Sequence, residues 1–213
     1  TLALGSISTK PSDMAMFYAA LANGGYQVKP QYIYKIENKF GEIVYEAKPK
    51  MKKIYDSKDV AILTYMLENA VNYGTGQPAK VMKDGKLIPM AGKTGTTSDY
   101  VSAWFTGYTP TLATVVYVGN DDNKSMGPGM TGGAAAAPIW KNYMQAVVDL
   151  PNYNVGVFEF IDDYITRKDL TTREIDLQVG LLDRDGVNKR TALFKAGTEP
   201  IEGEGKFRRG VTF

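Results

Sequence analysis

The chain has 213 residues, 44% of them hydrophobic, with 25 basic and 23 acidic side chains and a formal charge of +2. That length supports one ample core, or one domain with an appended piece, and the near-neutral balance argues against a dedicated nucleic-acid binder. It has neither Cys nor His, which removes Ser-His-Asp and Cys-His catalysis and His/Cys zinc sites from consideration.

In chain order, the first residues, TLALGSIST, lack an initiator Met and read as the middle of a longer chain. No stretch has the length and apolarity of a membrane span or a signal peptide, so any anchor is expected elsewhere. Pro11 to Gly24 reads as a helix, with Met14, Phe17, Tyr18 and Leu21 on one face. Ser12 or Asp13 is the expected cap and Asn23-Gly24-Gly25 the stop. YQVKPQYIYKIEN and EIVYEA, joined by Lys39-Phe40-Gly41, read as a hairpin, and Lys48 to Lys53 as an exposed connector.

Ser57 to Tyr73 is the clearest helix. Val60, Leu63, Thr64, Leu67 and Val71 line one side, Ser57 is the expected N-cap, and Gly74-Thr75-Gly76 ends it. Three strands follow, over Ile88 to Thr97, Ala103 to Tyr108 and Leu112 to Gly119. The third, LATVVYV, is apolar on both faces and is expected to be central. The short turn Thr109-Pro110-Thr111 pairs the second and third antiparallel. Asn120-Asp121-Asp122-Asn123 lacks the spacing of a calcium loop and reads as a turn, not a metal site. After the loop MGPGMTGG, a helix runs to about Leu150 with Ile139, Trp140, Tyr143 and Val147 buried, closed by Pro151. A boundary is placed near 151. The charged run DDYITRKDLTTREIDL and the Gly-rich end then read as an irregular, partly mobile extension.

The chemistry concentrates in Lys93-Thr94-Gly95-Thr96. A phosphate loop needs Gly, four intervening residues, and then Gly-Lys-Ser/Thr, but the position that motif requires ahead of Gly92-Lys93-Thr94 is Leu87, and Gly95-Thr96-Thr97-Ser98 is a poor helix opening. The segment fits a strand. An edge strand with solubilising Lys and Thr is the plain reading. A functional reading has more content. Gly inside a strand marks close approach of another backbone, and an extended peptide could add alongside. Thr94 and Thr96 share one face by alternation, whereas Lys93 and Gly95 share the other, so a twist or bulge is needed to bring the ammonium to the site edge. Two hydroxyls and an ammonium suit a carboxylate or acyl group, with the Thr96 N–H as an oxyanion donor.

Lys-Thr-Gly on a strand resembles the third signature motif of the penicillin-binding proteins and serine β-lactamases. MAGKTGTTSDYVSAWFTGYTPTLATVVYVGNDD resembles the strand pair of the bifunctional class A penicillin-binding proteins, type 1A, and GGAAAAPIWKNYM their last transpeptidase helix. LGSISTKPSDMAMFYAALANGGYQVKP, NAVNYGTGQPA and AGTEP are similar to their other segments. WFTGYTP and AGTEP favour class A synthases over β-lactamases or carboxypeptidases, which share the triplet.

The resemblance covers 1–150 well and 151–213 loosely. It implies 1–150 as the C-terminal portion of a penicillin-binding transpeptidase domain and 151–213 as an extension or tail. The implied fold is α+β, an antiparallel sheet flanked by helices. The implied activity is serine-type D,D-transpeptidation in peptidoglycan cross-linking, inhibited by penicillins. It implies catalytic roles for Lys93 and Thr96, and substrate contacts at Thr94, Gly95, Thr96, Thr97, Ser98 and Tyr100. No cofactor and no metal are implied. The implied partners are stem peptides and β-lactams, on the extracytoplasmic side of the cell membrane, with no nucleic acid.

No Ser in the chain is followed three places on by Lys, and no Ser-x-Asn occurs. The resemblance therefore implies that nucleophile and general base lie in a missing N-terminal part, with the glycosyltransferase domain and membrane anchor further upstream. The chain alone is then expected to be inactive and to expose apolar surface where that part docks. A non-catalytic module on a degenerate transpeptidase fold, binding stem peptides or a partner, is the alternative.

Overall fold

The structure, a computed structural model, describes residues 7–177, 180–182 and 189–200. The start TLALGS and the Gly-rich end lie outside the described residues. Two compact units divide at Phe158/Glu159.

The first unit is built on a three-stranded antiparallel sheet. Helix α1 (Pro11–Ala22) is followed by a hairpin of two short strands, β1 (Lys35–Glu37) and β2 (Ile43–Glu46), and by helix α2 (Ser57–Asn72). A two-residue hairpin, β3 (Met82–Lys83) with β4 (Lys86–Leu87), leads into β5 (Ala91–Thr96), β6 (Ser102–Tyr108) and β7 (Ala113–Gly119). Helix α3 (Ala137–Val148) closes the unit. Strand order is β5-β6-β7, with unbroken register from Ala91↔Tyr108 to Thr96↔Ala103 and from Ser102↔Gly119 to Tyr108↔Ala113. This is the antiparallel sheet with flanking helices that the sequence leads one to expect.

The core lies between the sheet and α3. Phe105 and Trp140 meet edge to face at 5.2 Å, with Val71, Val81, Met90, Met144 and Val148 packed around them. The Trp140 indole donates to the Thr114 carbonyl at 3.0 Å, which satisfies its one polar atom inside the core. On the other face, α1 brings Tyr18 against Tyr108, and the Thr64 hydroxyl of α2 bonds the Tyr108 hydroxyl at 2.9 Å.

Burial pushes both phenols, Tyr18 and Tyr108, above the usual range, and the Thr64 hydrogen bond offsets part of the rise at Tyr108. A raised pKa means that the folded state holds the proton more tightly than the unfolded chain. Stability from these groups is therefore complete below the unfolded value of about 10 and is lost as pH climbs above it. The melting temperature is expected to hold level up to about pH 10 and then fall, with a shallower fall in Tyr108→Phe. An identical slope in the variant would exclude Tyr108 as the source.

Several expectations change. The expected central strand, 112–119, is the end strand β7 among the described residues, and β6 is central and the most buried. Its apolarity reports that helices cover both faces of the sheet, not that it has two strand neighbours. The α3 face is turned by one residue: Trp140, Met144 and Val148 are buried, while Ile139 and Tyr143 are 51% and 52% exposed. Leu63 of α2 is likewise on the outer side, and Ala61 is buried instead. Asp56, not Ser57, caps α2, accepting the Lys58 N–H at 2.8 Å; Lys10 precedes α1, with no side-chain cap from Ser12 or Asp13. The β1–β2 hairpin is shorter than expected and carries its apolar side chains outside, with Tyr32 89% and Phe40 77% exposed.

The second unit, taken by itself, is a short helix, α4 (Glu159–Thr166), packed on a hairpin of β8 (Leu170–Asp176) and β9 (Lys189–Lys195). Regular structure thus replaces the irregular run expected at DDYITRKDLTTREIDL. Ile161, Leu170 and Leu193 supply its buried side chains. Among the described residues no helix is long and apolar enough to cross a membrane, and no cluster of acidic side chains could hold a metal ion.

Candidate functional site

The Lys-Thr-Gly-Thr segment is the end of edge strand β5. The Thr97 N–H bonds the Ser102 carbonyl at 3.1 Å, continuing the pairing with β6. By the alternation of an antiparallel ladder, the main-chain groups of Thr94 and Thr96 then face away from β6. The Lys93 ammonium on the Thr94 carbonyl, at 2.9 Å, fits that direction. So the Thr94 and Thr96 backbone groups lie on the side of β5 that no strand of this sheet pairs.

An open groove of about 640 Å³ runs beside this edge, lined by Thr75, Gln77, Thr94, Thr96, Thr131 and Gly133 among others. Three chain segments build it. The end of α2 supplies Thr75. There the N–H groups of Gly74 and Gly76 both close on the Ala70 carbonyl, so that exposed carbonyl is capped within its own turn. Strand β5 supplies Thr94 and Thr96. The wide turn Gly132–Ala136, which opens α3, supplies the third wall, with Thr131 as its N-cap accepting from the Ala134 N–H at 3.2 Å.

The hydrogen bonds constrain where the hydroxyl protons go. The Gly132 N–H donates to Thr96 Oγ1 at 2.9 Å, so the Thr96 O–H remains to donate. Thr131 Oγ1 is likewise used as an acceptor by a backbone N–H. Thr75 Oγ1 and Thr94 Oγ1 lie 2.7 Å apart, and only one of the two can donate to the other, which leaves one proton over. The positive end of the Gly132–Val148 helical segment adjoins the same groove. Donor hydroxyls and a helix N-terminus together favour an anion with hydrogen-bond acceptors, such as a carboxylate.

The close backbone approach at Gly95 depends on Gly132 of this chain, since a Cβ on Gly95 itself would meet only the Trp104 side chain, at 3.2 Å. A Cβ on Gly132 would lie 2.5 Å from the Gly95 carbonyl oxygen and 2.3 Å from that of Trp104. Gly132 therefore seats the rim of the groove directly on the strand pair. Gly133 also sits close against the Thr75 carbonyl oxygen, at 2.8 Å from its hypothetical Cβ.

Thr94 and Thr96 come together in the groove; the other singled-out residues take different positions. Lys93 is exposed, is not in the groove lining, and no bulge in β5 turns it there. Thr97 Oγ1 accepts the Ser102 N–H at 2.8 Å and so serves the turn between β5 and β6. Ser98 and Tyr100 form that turn, with Asp99 and Tyr100 both at positive φ (58° and 56°). Loop residues Ser125 and Met126 hold it through the Asp99 and Tyr100 carbonyls. Sequence reasoning missed Thr75, Gln77 and Thr131. Their signal was present in Gly74-Thr75-Gly76-Gln77 and Thr131-Gly132-Gly133, where a hydroxyl sits among glycines that let backbones approach.

A family model described as "Penicillin binding protein transpeptidase domain" matches residues 1–145. The chain is 37% identical over 153 residues to penicillin-binding protein 1A of Aquifex aeolicus, covering 71% of this chain and 20% of that protein. It is 36% identical over 150 residues to penicillin-binding protein 1A of Neisseria gonorrhoeae, covering 68% and 18%. The crystal structure of penicillin-binding protein 1A from Haemophilus influenzae superposes with a TM-score of 0.75 at 28% identity, over 93% of this chain and 34% of that one. The chain thus spans about a fifth of the length of these curated relatives.

Proposed function

This chain belongs to the penicillin-binding protein transpeptidase family, and on that premise we propose that its groove is the carboxylate-holding side of a D,D-transpeptidase active site. The single observation that carries the reading is the pair Thr94 and Thr96, side by side on an edge strand whose main-chain groups are open to an added peptide. A stem peptide lies antiparallel to β5 and its terminal carboxylate takes the Thr94 and Thr96 hydroxyl protons. The Thr96 N–H, on the open side of the strand, is one donor to the oxyanion. Lys93 contributes positive charge at the strand edge; Gly95 allows close packing; Thr97, Ser98 and Tyr100 border the cleft.

In the reaction a serine oxygen attacks the penultimate D-Ala carbonyl. The C–N bond breaks, the terminal D-Ala leaves with a proton, and an amine on a neighbouring stem takes the acyl group from the serine. A penicillin follows the first half of that path by opening its ring C–N bond. The serine and its Lys partner belong to sequence outside residues 1–213, because no Ser-x-x-Lys occurs here and the matched segment is only 20% of the Aquifex aeolicus relative. The cross-linking substrates place the site on the extracytoplasmic side of the membrane.

Labelling the intact protein with a fluorescent penicillin and locating the adduct by peptide mass tests this division of labour. The expected adduct is on an upstream serine followed three places on by Lys. An adduct on any serine of residues 1–213 would overturn it. A protein that binds stem peptides but takes no label would be a binding module instead.

A further inference from the structure

We infer that Thr75, at the end of α2, is a positioning residue that aims the Thr94 hydroxyl at the ligand carboxylate. The inference rests on the reading of the groove as a carboxylate seat. It starts from the 2.7 Å contact between Thr75 Oγ1 and Thr94 Oγ1. An isolated threonine hydroxyl on an exposed strand rotates freely and donates to water. Paired at this distance, the two hydroxyls share one hydrogen bond, and the arrangement with Thr75 donating leaves the Thr94 proton directed into the groove. A carboxylate accepts hydrogen bonds but donates none, so its arrival selects that arrangement. A hydrogen-bond donor selects the opposite arrangement, and a neutral acceptor such as an ester gains less from this one because its hydrogen bond is not charge-assisted.

Thr75 is held firmly enough to do this. Its flanking glycines are fixed by their N–H bonds to Ala70, and a Cβ on Gly74 would lie 2.8 Å from the Ala70 carbonyl oxygen. Its own carbonyl is packed against Gly133 of the opposite wall. The hydroxyl is thus carried on a helix end and clamped between two walls of the groove, a geometry suited to orienting a neighbour. The two seats are then wired in the same way: a backbone N–H from Gly132 fills the acceptor side of Thr96, and the Thr75 hydroxyl fills that of Thr94.

The test uses the intact protein, with second-order acylation rates for a penicillin and for its methyl ester, which lacks the anionic carboxylate. Thr75→Val keeps the shape and removes the hydroxyl. The free acid is expected to acylate ~10-fold more slowly and the ester little changed, so the preference for the acid shrinks. Thr75→Ser is expected to recover most of the lost rate. Equal losses for acid and ester, unrepaired by Ser, would assign Thr75 to packing and overturn the inference. Thr96→Val separates the two levels. If it slows the free acid while Thr75→Val does not, the carboxylate seat stands and the positioning role falls. If both variants acylate like the wild type, the seat itself falls.

Discussion

Gly132→Ala is expected to lower the melting temperature by roughly 6–12 °C, the equivalent of about 3 kcal/mol for a chain of this size. The added Cβ would sit 2.3 Å from the Trp104 carbonyl oxygen and 2.5 Å from that of Gly95. Both are backbone atoms of paired strands, so neither can swing aside as a side-chain tip would. The strand pair and the opening of α3 must separate. Separation also lengthens the 2.9 Å hydrogen bond from the Gly132 N–H to Thr96 and tilts the wall that carries Thr131. Penicillin acylation of the intact protein should therefore fall along with stability. A melting temperature within about 1 °C of the wild type would mean that the rim does not rest on β5 and β6 as described.

Thr96→Val should act on the ligand far more than on the fold. A hydrogen bond to a charged group is worth about 1.5–3 kcal/mol, so loss of this hydroxyl is expected to slow acylation by a free-acid penicillin about 10–100-fold. The fold loses one acceptor for the Gly132 N–H, at an edge where water can replace it, which costs about 1 kcal/mol. Thr96→Ser should stay near the wild type on both counts. A Val variant that acylates at the wild-type rate would remove Thr96 from the seat.

The sheet was legible because its signals are local. Three strand-like runs separated by Thr97–Val101 and Thr109-Pro110-Thr111 define β5, β6 and β7, and the Lys-Thr-Gly-Thr alternation already puts Thr94 and Thr96 on one face. What sequence pattern cannot carry is which neighbours an element meets. LATVVYV is apolar on both faces because α1 and α3 sandwich the sheet, so hydrophobicity alone could not separate an end strand from a central one. On α3, Ile139 and Tyr143 are as apolar as Met144 and Val148. The choice between the two overlapping stripes is made by where Trp140 finds Phe105 and the Thr114 carbonyl. Thr75 lies nineteen residues before Thr94, and no periodicity links them. The contact follows from the end of α2 meeting the edge of β5, which only the assembled fold supplies. Gly95 shows the same limit: a Cβ there would meet only the Trp104 side chain, at 3.2 Å, and the glycine that lets a backbone come close is Gly132, thirty-seven positions on.

The measurement that bears most directly on the central claim is the position of the carboxylate. A crystal structure of the intact protein acylated by benzylpenicillin would locate it without reference to rates. The expected result has the thiazolidine carboxylate within hydrogen-bond distance of Thr94 Oγ1 and Thr96 Oγ1, with the Thr96 N–H turned to the opened lactam carbonyl. A carboxylate bound elsewhere in an acylated protein, with water filling the groove between Thr75 and Gly133, would contradict the account.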